Sequence, residues 1–379
     1  MTVVLGDVVE VVMGQAPPGD ACNKVGDGVP FVKAGEFADR RPVIREWTTK
    51  PLRMAQEDDT LVCVVGATAG KVNQGADCAI GRSVAAVRPC PQRIDSNFLY
   101  RFLSTTVSRL RSGSQGAAQG VITRAMICSL ALDLPPLDEQ RRIAAILDQA
   151  DALRVKRRQA LTHLDQLPLA IFLDMFGSPD DAVDRVPFGE VARLSGGRNL
   201  VADDAQLQAP YRVLKISAVT TGYFKPHESK PLPADYVPPE SHLVRRGDLL
   251  MSRANTTELV GAVALVHDAP ENLALPDKVW KFDWRVTDSV PAFYHALFRT
   301  PSVRRQVSRL SSGTGGSMKN VAKGKLETML IPDVPPAQQR AFAMRVDCVS
   351  SQRAATHRAI LAEEELFASL QFRAFRGEL

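Results

Sequence analysis

Two stretches of the chain place apolar residues at helical spacing. From Ile143, alternating steps of three and four select Ile146, Ala150, Leu153, Arg157, Ala160, Leu164, Leu167 and Ile171. Only Arg157 breaks this apolar seam, which predicts a long helix with a heptad stripe. Pro135-Pro136 just upstream cannot be helix interior and Asp138-Glu139 suit a helix N-terminus, so the helix should start there, with Pro168 bending it near its end. A second stretch, about 337 to 375, puts Phe342, Val346, Val349, Ile360, Phe367 and Leu370 on one stripe, shared with Arg353, Thr356 and Glu363. Elsewhere the pattern changes to short β-rich patches, 60–65, 84–87, 248–251 and 260–266. Each of these two regions adds one amphipathic helix, Phe98 to Leu103 or Phe293 to Phe298. Strands and turns with few helices predict α+β (mixed α/β) domains whose strand order stays open.

The chain is written twice. Displaced by 200 residues, Ser108-Arg109-Leu110 matches Ser308-Arg309-Leu310, Ser112-Gly113 matches Ser312-Gly313, and Gly116, Val121, Leu130 and Pro135-Pro136 match Gly316, Val321, Leu330 and Pro335-Pro336. After a one-residue gap, Gln140-Arg141 matches Gln339-Arg340 and Phe176 matches Phe375. Upstream, Leu5-Gly6-Asp7-Val8 resembles Phe188-Gly189-Glu190-Val191, and Pro30 to Lys33 loosely resembles Tyr211 to Lys215. The repeat divides the chain into a domain at 1–134, a helix at 135–178, a second domain at 187–334 and a second helix at 335–379. Two such helices would most simply pack antiparallel and hold the domains apart.

Charge sharpens this picture. Lysine and arginine total 47 against 42 acidic residues, a net +5 that permits a polyanionic partner without requiring one. Yet Ser96 to Leu132 and Ser289 to Leu326, which fall on each other in the repeat, contain no acidic residue. Two matched basic segments rich in Gly, Ser and Gln, on domains spaced by a rod, suit an extended polyanion and describe a DNA reader. With 45% apolar and 23% charged residues the chain is an ordinary globular one. No run is long and apolar enough for a membrane span, and Met1 to Gly14 lacks the features of a signal peptide, so the expected compartment is the cytoplasm. The six cysteines form no C-x-x-C pair and are expected to be reduced.

Catalytic motifs are missing. Gly66-Ala67-Thr68-Ala69-Gly70-Lys71 has one residue too few for a phosphate loop and Val72 where a hydroxyl should hold magnesium. Gly313 to Met318 lacks the third glycine of a dinucleotide fingerprint, no histidine pair has the spacing of a zinc helix, and no serine sits in a G-x-S-x-G elbow. The Pro-Pro pairs are flanked as Leu-Pro-Pro-Leu, Val-Pro-Pro-Glu and Val-Pro-Pro-Ala, unlike the Asn/Asp-Pro-Pro-Tyr/Phe segment of an amino-methyltransferase. No metal site and no cofactor of its own are expected.

Leu134 to Ile143 and Val334 to Arg340, with the endings Phe176-Gly177 and Phe375 to Leu379 and the two domain starts, resemble the specificity subunits of type I restriction-modification systems over essentially the whole chain. The resemblance implies two target-recognition domains in a pseudo-two-fold repeat, each reading one half of a split double-stranded DNA sequence, separated by two long antiparallel helices in a coiled-coil spacer. It also implies two modification subunits that bind S-adenosylmethionine and methylate adenine, possibly joined by restriction subunits. The second copy departs from the family pattern at Ala337-Gln338, where one residue is missing and the acidic pair is absent. An orphan methyltransferase with built-in recognition domains, or a non-catalytic coiled-coil scaffold, are the alternatives.

The candidate DNA-contacting residues are Lys33, Arg82, Arg111, Ser112, Gln115, Gln119 and Arg124 in the first half. In the second half they are Lys215, Arg253, Asn255, Arg309, Ser312, Thr314, Lys319, Asn320, Lys323 and Lys325. The lysines suit phosphates, whereas Arg253 and Asn255 can make bidentate contacts to guanine and adenine. Glu139, Gln140, Arg141, Gln339 and Arg340 are the candidate docking residues for partner subunits. The seam from Ile143 to Ile171 spans 28 residues, about 42 Å or roughly 12 base pairs, which places half-site centres about one helical turn apart.

Overall fold

The computed structural model describes residues 2–113, 120–198, 200, 209–313 and 318–379. The chain divides into two compact units, Met1–Arg158 with Arg358–Leu379, and Gln159–His357. Four helices organise them: α1 (Ser96–Thr105), α2 (Leu137–Phe176), α3 (Pro291–Arg299) and α4 (Pro336–Ala374). The first unit holds α1 with the start of α2 and the end of α4; the second holds α3 with the remainder of both long helices. No described helix is long and apolar enough to cross a membrane.

In the first unit an antiparallel sheet runs Val9–Met13, Val84–Pro89, Thr60–Cys63, Val72–Gln74. Its two central strands are apolar at every position but Thr60 and Arg88 because both faces are covered. Val62, Ala85 and Val87 pack with Phe98, Leu99 and Leu103 of α1. Leu61, Cys63, Val84 and Ala86 face the other way, onto Val32 and Ile80. Val32 and Ile80 belong to a five-stranded sheet ordered Cys22–Asn23, Glu46–Thr48, Val29–Val32, Cys78–Ile80, Met54–Ala55. Asp95 caps α1 by accepting from the backbone N–H groups of Asn97 and Phe98.

The second unit repeats this plan. Its four-stranded sheet runs Ala192–Gly196, Val279–Trp284, Leu249–Ser252, Val263–Leu265. Leu249 and Met251 pack with Phe293 and Leu297 of α3, and Leu250 packs with Leu214 and Leu273 on the opposite face. Lys33 and Lys215 end equivalent strands, since Val29–Val32 and Arg212–Leu214 each make a parallel pairing with a later strand. Gly177 and Gly377, with φ of +68° and +70°, follow the two long helices in the left-handed conformation that relieves a helix C-terminus.

The backbone corrects the register of the repeat. Leu5 N–H donates to Leu130 O, and Phe188 N–H donates to Met329 O, both at 2.8 Å. Ile122 N–H donates to Val64 O at 2.9 Å, and Val321 N–H to Arg253 O at 3.1 Å. Ile122, fully buried, is therefore the counterpart of Val321, whereas Val121 is exposed. The missing residue lies upstream of Ile122 and not at Ala337-Gln338. The Pro-Pro identity misleads by one: Gln140 N–H donates to Pro136 O, and Gln339 N–H to Pro335 O.

The long helices run antiparallel within each unit. In the first, Arg142 reaches the Leu379 carbonyl, Arg157 pairs with Glu363 at 2.8 Å, and Arg154 and Arg158 both pair with Glu364. In the second, Arg353 pairs with Asp165, and Phe172 meets Phe342 edge-on at 5.7 Å. The predicted seam of α2 holds at Ile143, which is buried, and at Ile146, Ala150, Leu164 and Ile171, which are half-buried, and fails at four positions. Leu153 is 55% exposed, and Arg157, Ala160 and Leu167 are also exposed. One residue on, Leu147, Asp151, Arg154, Leu161, Asp165, Pro168 and Phe172 also face inward, so the middle of the seam is charged. A 3.5-residue stripe cannot tell which of two adjacent registers faces inward when arginine and aspartate find ion-pair partners there. The helix also continues through Pro168. The stripe of α4 holds throughout, including Arg353, Thr356 and Glu363.

Candidate nucleic-acid interface

In the second unit the chain leaves the four-stranded sheet at Arg253 and enters a separate ribbon. Ala254–Asn255 pairs with Lys319–Val321, which pairs with Ser311–Ser312. The register sets Asn255 opposite Lys319, Ala254 opposite Asn320, and Ser312 opposite Asn320. Ser312 and Asn320 are exposed, and Lys319 Nζ donates to Gly313 O at 3.0 Å. Arg253 has its backbone fixed on both sides: its N–H donates to Lys278 O at 2.9 Å and its carbonyl accepts from Val321. The exposed guanidinium lies 5.6 Å from the centre of the Trp280 ring, which restrains its direction. Lys323 and Lys325 stand exposed on the short helix Lys323–Glu327 that continues from this ribbon. Arg309 is exposed in the last turn of the helix Pro301–Leu310. Folding thus brings Arg253, Asn255, Ser312, Lys319 and Asn320 into one ribbon. Lys215 is exposed elsewhere, capping the 3-10 turn Ile216–Ala218.

The loop after Asn255 is held from below. Arg304 donates to Glu258 O at 2.7 Å and Ser308 to Thr257 O at 3.1 Å. Burial pulls the Arg304 guanidinium below its usual pKa.

The first unit uses the same place differently. Val64, buried, occupies the position of Arg253, and a single Val65–Val121 bridge stands where the ribbon begins. Arg111 donates to the carbonyls of Ala69 and Ala67, so this candidate DNA contact helps to hold the turn at Gly66 to Gly70. Ser112 donates to Arg109 O, and Lys33 is tied to Glu46 at 2.6 Å. Arg82 and Arg124 are exposed. Gln115, Gln119 and Thr314 lie outside the described residues.

The glutamines at the helix starts are internal anchors. Gln140 is 1% exposed; its Oε1 accepts from Asp95 N–H at 2.8 Å, and its Nε2 donates to the Arg93 and Pro135 carbonyls at 2.9 Å each. Gln339, 4% exposed, accepts from Val290 N–H at 3.1 Å and donates to Val334 O at 2.7 Å and to the Tyr294 hydroxyl. Neither side chain is available to a partner, because every one of these bonds replaces solvent that burial removes. Arg141 and Arg340 remain exposed, and half-buried Glu139 pairs with Arg142, which lowers the Glu139 carboxyl below its ordinary pKa.

Sequence reasoning missed Arg101, which lies 3% exposed between α1 and the long helices. The signal was an arginine inside the otherwise apolar run Phe98 to Leu103. It also missed the Tyr223 stack described below, which pattern does not reveal. Among the described residues no group of histidine, cysteine or carboxylate side chains is placed to hold a metal ion.

Comparison with known proteins agrees with this architecture. Residues 1–163 match the family model described as type I restriction modification DNA specificity domain. A putative type I restriction enzyme MjaX specificity subunit of Methanocaldococcus jannaschii is 34% identical over 153 residues, covering 40% of this chain and 36% of that protein. The type I restriction enzyme EcoKI specificity subunit of Escherichia coli is 23% identical over 394 residues, covering 93% of this chain and 83% of that protein. The fold matches a crystal structure of a type I system S subunit from M. genitalium at a TM-score of 0.60 and 11% identity, covering 99% of this chain and 96% of that one. A second solved chain, from work on type I complex assembly and conformational transition, matches at 0.63 and 15% identity, covering 100% and 98%. In sequence and in fold the chain is thus similar to type I restriction enzyme specificity subunits, most specifically over residues 1–163.

Proposed function

We propose that this chain is the DNA-reading subunit of a type I complex, non-catalytic itself, which binds a two-part double-stranded target with one half-site per recognition domain. The observation that carries the reading is the duplication of one recognition fold, each copy seated on the paired long helices through its own buried glutamine. The ribbon carrying Arg253, Asn255, Ser312, Lys319 and Asn320 is the reading surface of the second domain. Lys323 and Lys325 supply phosphate contacts beside it, and Arg82 and Arg124 are the exposed candidates of the first domain. The helix pair acts as the coiled-coil spacer that sets the distance between half-sites. Glu139, Arg141 and Arg340 at the helix starts are the docking side chains for two modification subunits, which bring S-adenosylmethionine and methylate adenine; restriction subunits add cleavage. The complex works in the cytoplasm, where its DNA is.

The test is methyl transfer to duplex DNA by the purified chain with and without modification subunits. Transfer is expected only in their presence, and robust transfer by the chain alone would overturn the reading. Replacing Lys319, Lys323 and Lys325 together by alanine should flatten the slope of log affinity against log salt by roughly two to three units and leave the methylated motif unchanged.

A further inference from the structure

The seats of the two recognition domains differ at one equivalent place. In the first unit Arg101 donates to Asp148 at 2.6 and 2.9 Å and to Asp151 at 3.1 Å. Its guanidinium lies 5.4 Å from the centre of the Tyr100 ring and 6.0 Å from that of Phe367. Arg40 adds a second contact to Asp148 at 3.0 Å. One planar cation thus joins the recognition-domain helix α1 to two carboxylates one turn apart on α2 and to a ring on α4.

The equivalent place in the second unit follows from shared anchors. Gln140 accepts from Asp95 as Gln339 does from Val290, and Phe98 meets Phe375 at 5.3 Å as Phe293 meets Phe176 at 5.3 Å. Counting from these, Arg101 is replaced by Ala296, Asp148 by Asp347, Asp151 by Ser350 and Phe367 by Pro168. All four replacements line a cavity of about 390 Å3. Asp347 makes no ion pair among the described residues. The ion pair one turn on is kept, Arg154 with Glu364 in one unit and Arg353 with Asp165 in the other. The second domain closes on its helices through Tyr223 instead, stacked 3.4 Å from Arg353 and 5.2 Å from Arg299.

We infer that Arg101 is a positioning residue that fixes the first recognition domain in a single orientation on the long helices, and that the second domain, seated over an unfilled socket, is the one that adjusts to its half-site. This rests on the two-part target proposed above. A bidentate fork held by two carboxylates restrains rotation as well as separation, which a single point charge does not. An interface with a cavity forfeits contacts that would otherwise single out one packing.

The test uses the complete methyltransferase complex and duplexes in which the spacing between half-sites is varied one base pair at a time. Arg101→Lys and Arg101→Met should reduce discrimination between native and one-base-pair-shifted spacing by about tenfold while both half-site sequences stay the same; general misfolding would lower activity at every spacing alike. Ala296→Arg combined with Ser350→Asp should install the fork in the second unit and sharpen the spacing preference. It reports even if the Arg101 variants fail to fold. Spacing profiles identical in wild type and the double variant, or altered half-site bases in Arg101→Lys, would overturn the inference alone. A wild-type complex that methylates one undivided site would overturn the functional reading, and the inference with it.

Discussion

The two units have the same scaffold and differ at the proposed reading surface and where they meet the long helices. In both, a buried glutamine ties the start of a long helix to its domain and a phenylalanine from the other helix's end closes the core. In one, Val64 is buried and Arg101 fills the seat; in the other, Arg253 stands out over Trp280 and Ala296 leaves a cavity. Duplication has kept the contacts that make the fold and released positions at the proposed reading surface and in the seat on the long helices. Charge chemistry has diverged too, since all six histidines fall in the second unit.

Removing the carboxylate of the filled seat should have the largest effect. Asp148→Ala strips Arg101 and Arg40 of a shared partner while Asp151 still neutralises Arg101, and should destabilise the first unit by about 1.5–3 kcal/mol, the cost of lost hydrogen bonds to a charged group. The equivalent Asp347→Ala should stay within about 0.5 kcal/mol, because that carboxylate is exposed and makes no ion pair among the described residues. Hydrogen exchange followed separately in each unit measures both; equal losses would erase the asymmetry.

The reading surface comes next. Arg253→Ala should relax one base position of the second half-site by about 1–3 kcal/mol and leave the first half-site as it was. Val64→Ala at the matching position should loosen the first domain's core without changing any base. Sequencing of methylated motifs distinguishes the two, and an unchanged motif in Arg253→Ala would move the reading surface elsewhere.

The smallest effect is on acid stability. Burial pushes His295 down to about 3, with Nε2–H donating to Gly222 O at 2.9 Å, so the folded protein keeps it neutral. The unfolded chain takes up the proton first, near pH 6.5. The stabilisation is therefore complete above about pH 6.5 and declines as pH falls towards 3, with on the order of 1 kcal/mol gone by pH 5.5. Between pH 6.5 and 5.5, above the range of the carboxylates, the second unit should weaken while the first, without histidine, does not, and His295→Gln should remove the difference. A loss that survives His295→Gln would assign it to other groups.

Much of this was legible in the chain. The duplication, both long helices, the paired amphipathic helices and the basic, carboxylate-free segments are local or periodic features, and periodicity survives translation into three dimensions because backbone geometry imposes it. The stripe of α4 was read correctly for the same reason. The seam of α2 holds only in part, because Asp151, Arg154 and Asp165 look like surface residues until Glu364 and Arg353 arrive from a helix some 200 residues away. Gln140 and Gln339 suggest docking groups because they sit in the two elements that resemble the family's helix starts. Only the backbone groups around them, supplied by other segments, make an amide preferable to solvent there. Arg111, Arg101 and Ala296 teach the same lesson, since whether an arginine faces a phosphate, a carbonyl or a buried carboxylate is set by what folds against it. The sequence by itself determined the plan, two readers on two rods, because repeats and hydrophobic periods are properties of the chain alone. The tertiary structure decided which polar residues point outward and how each reader is seated, because burial and pairing depend on partners distant in sequence.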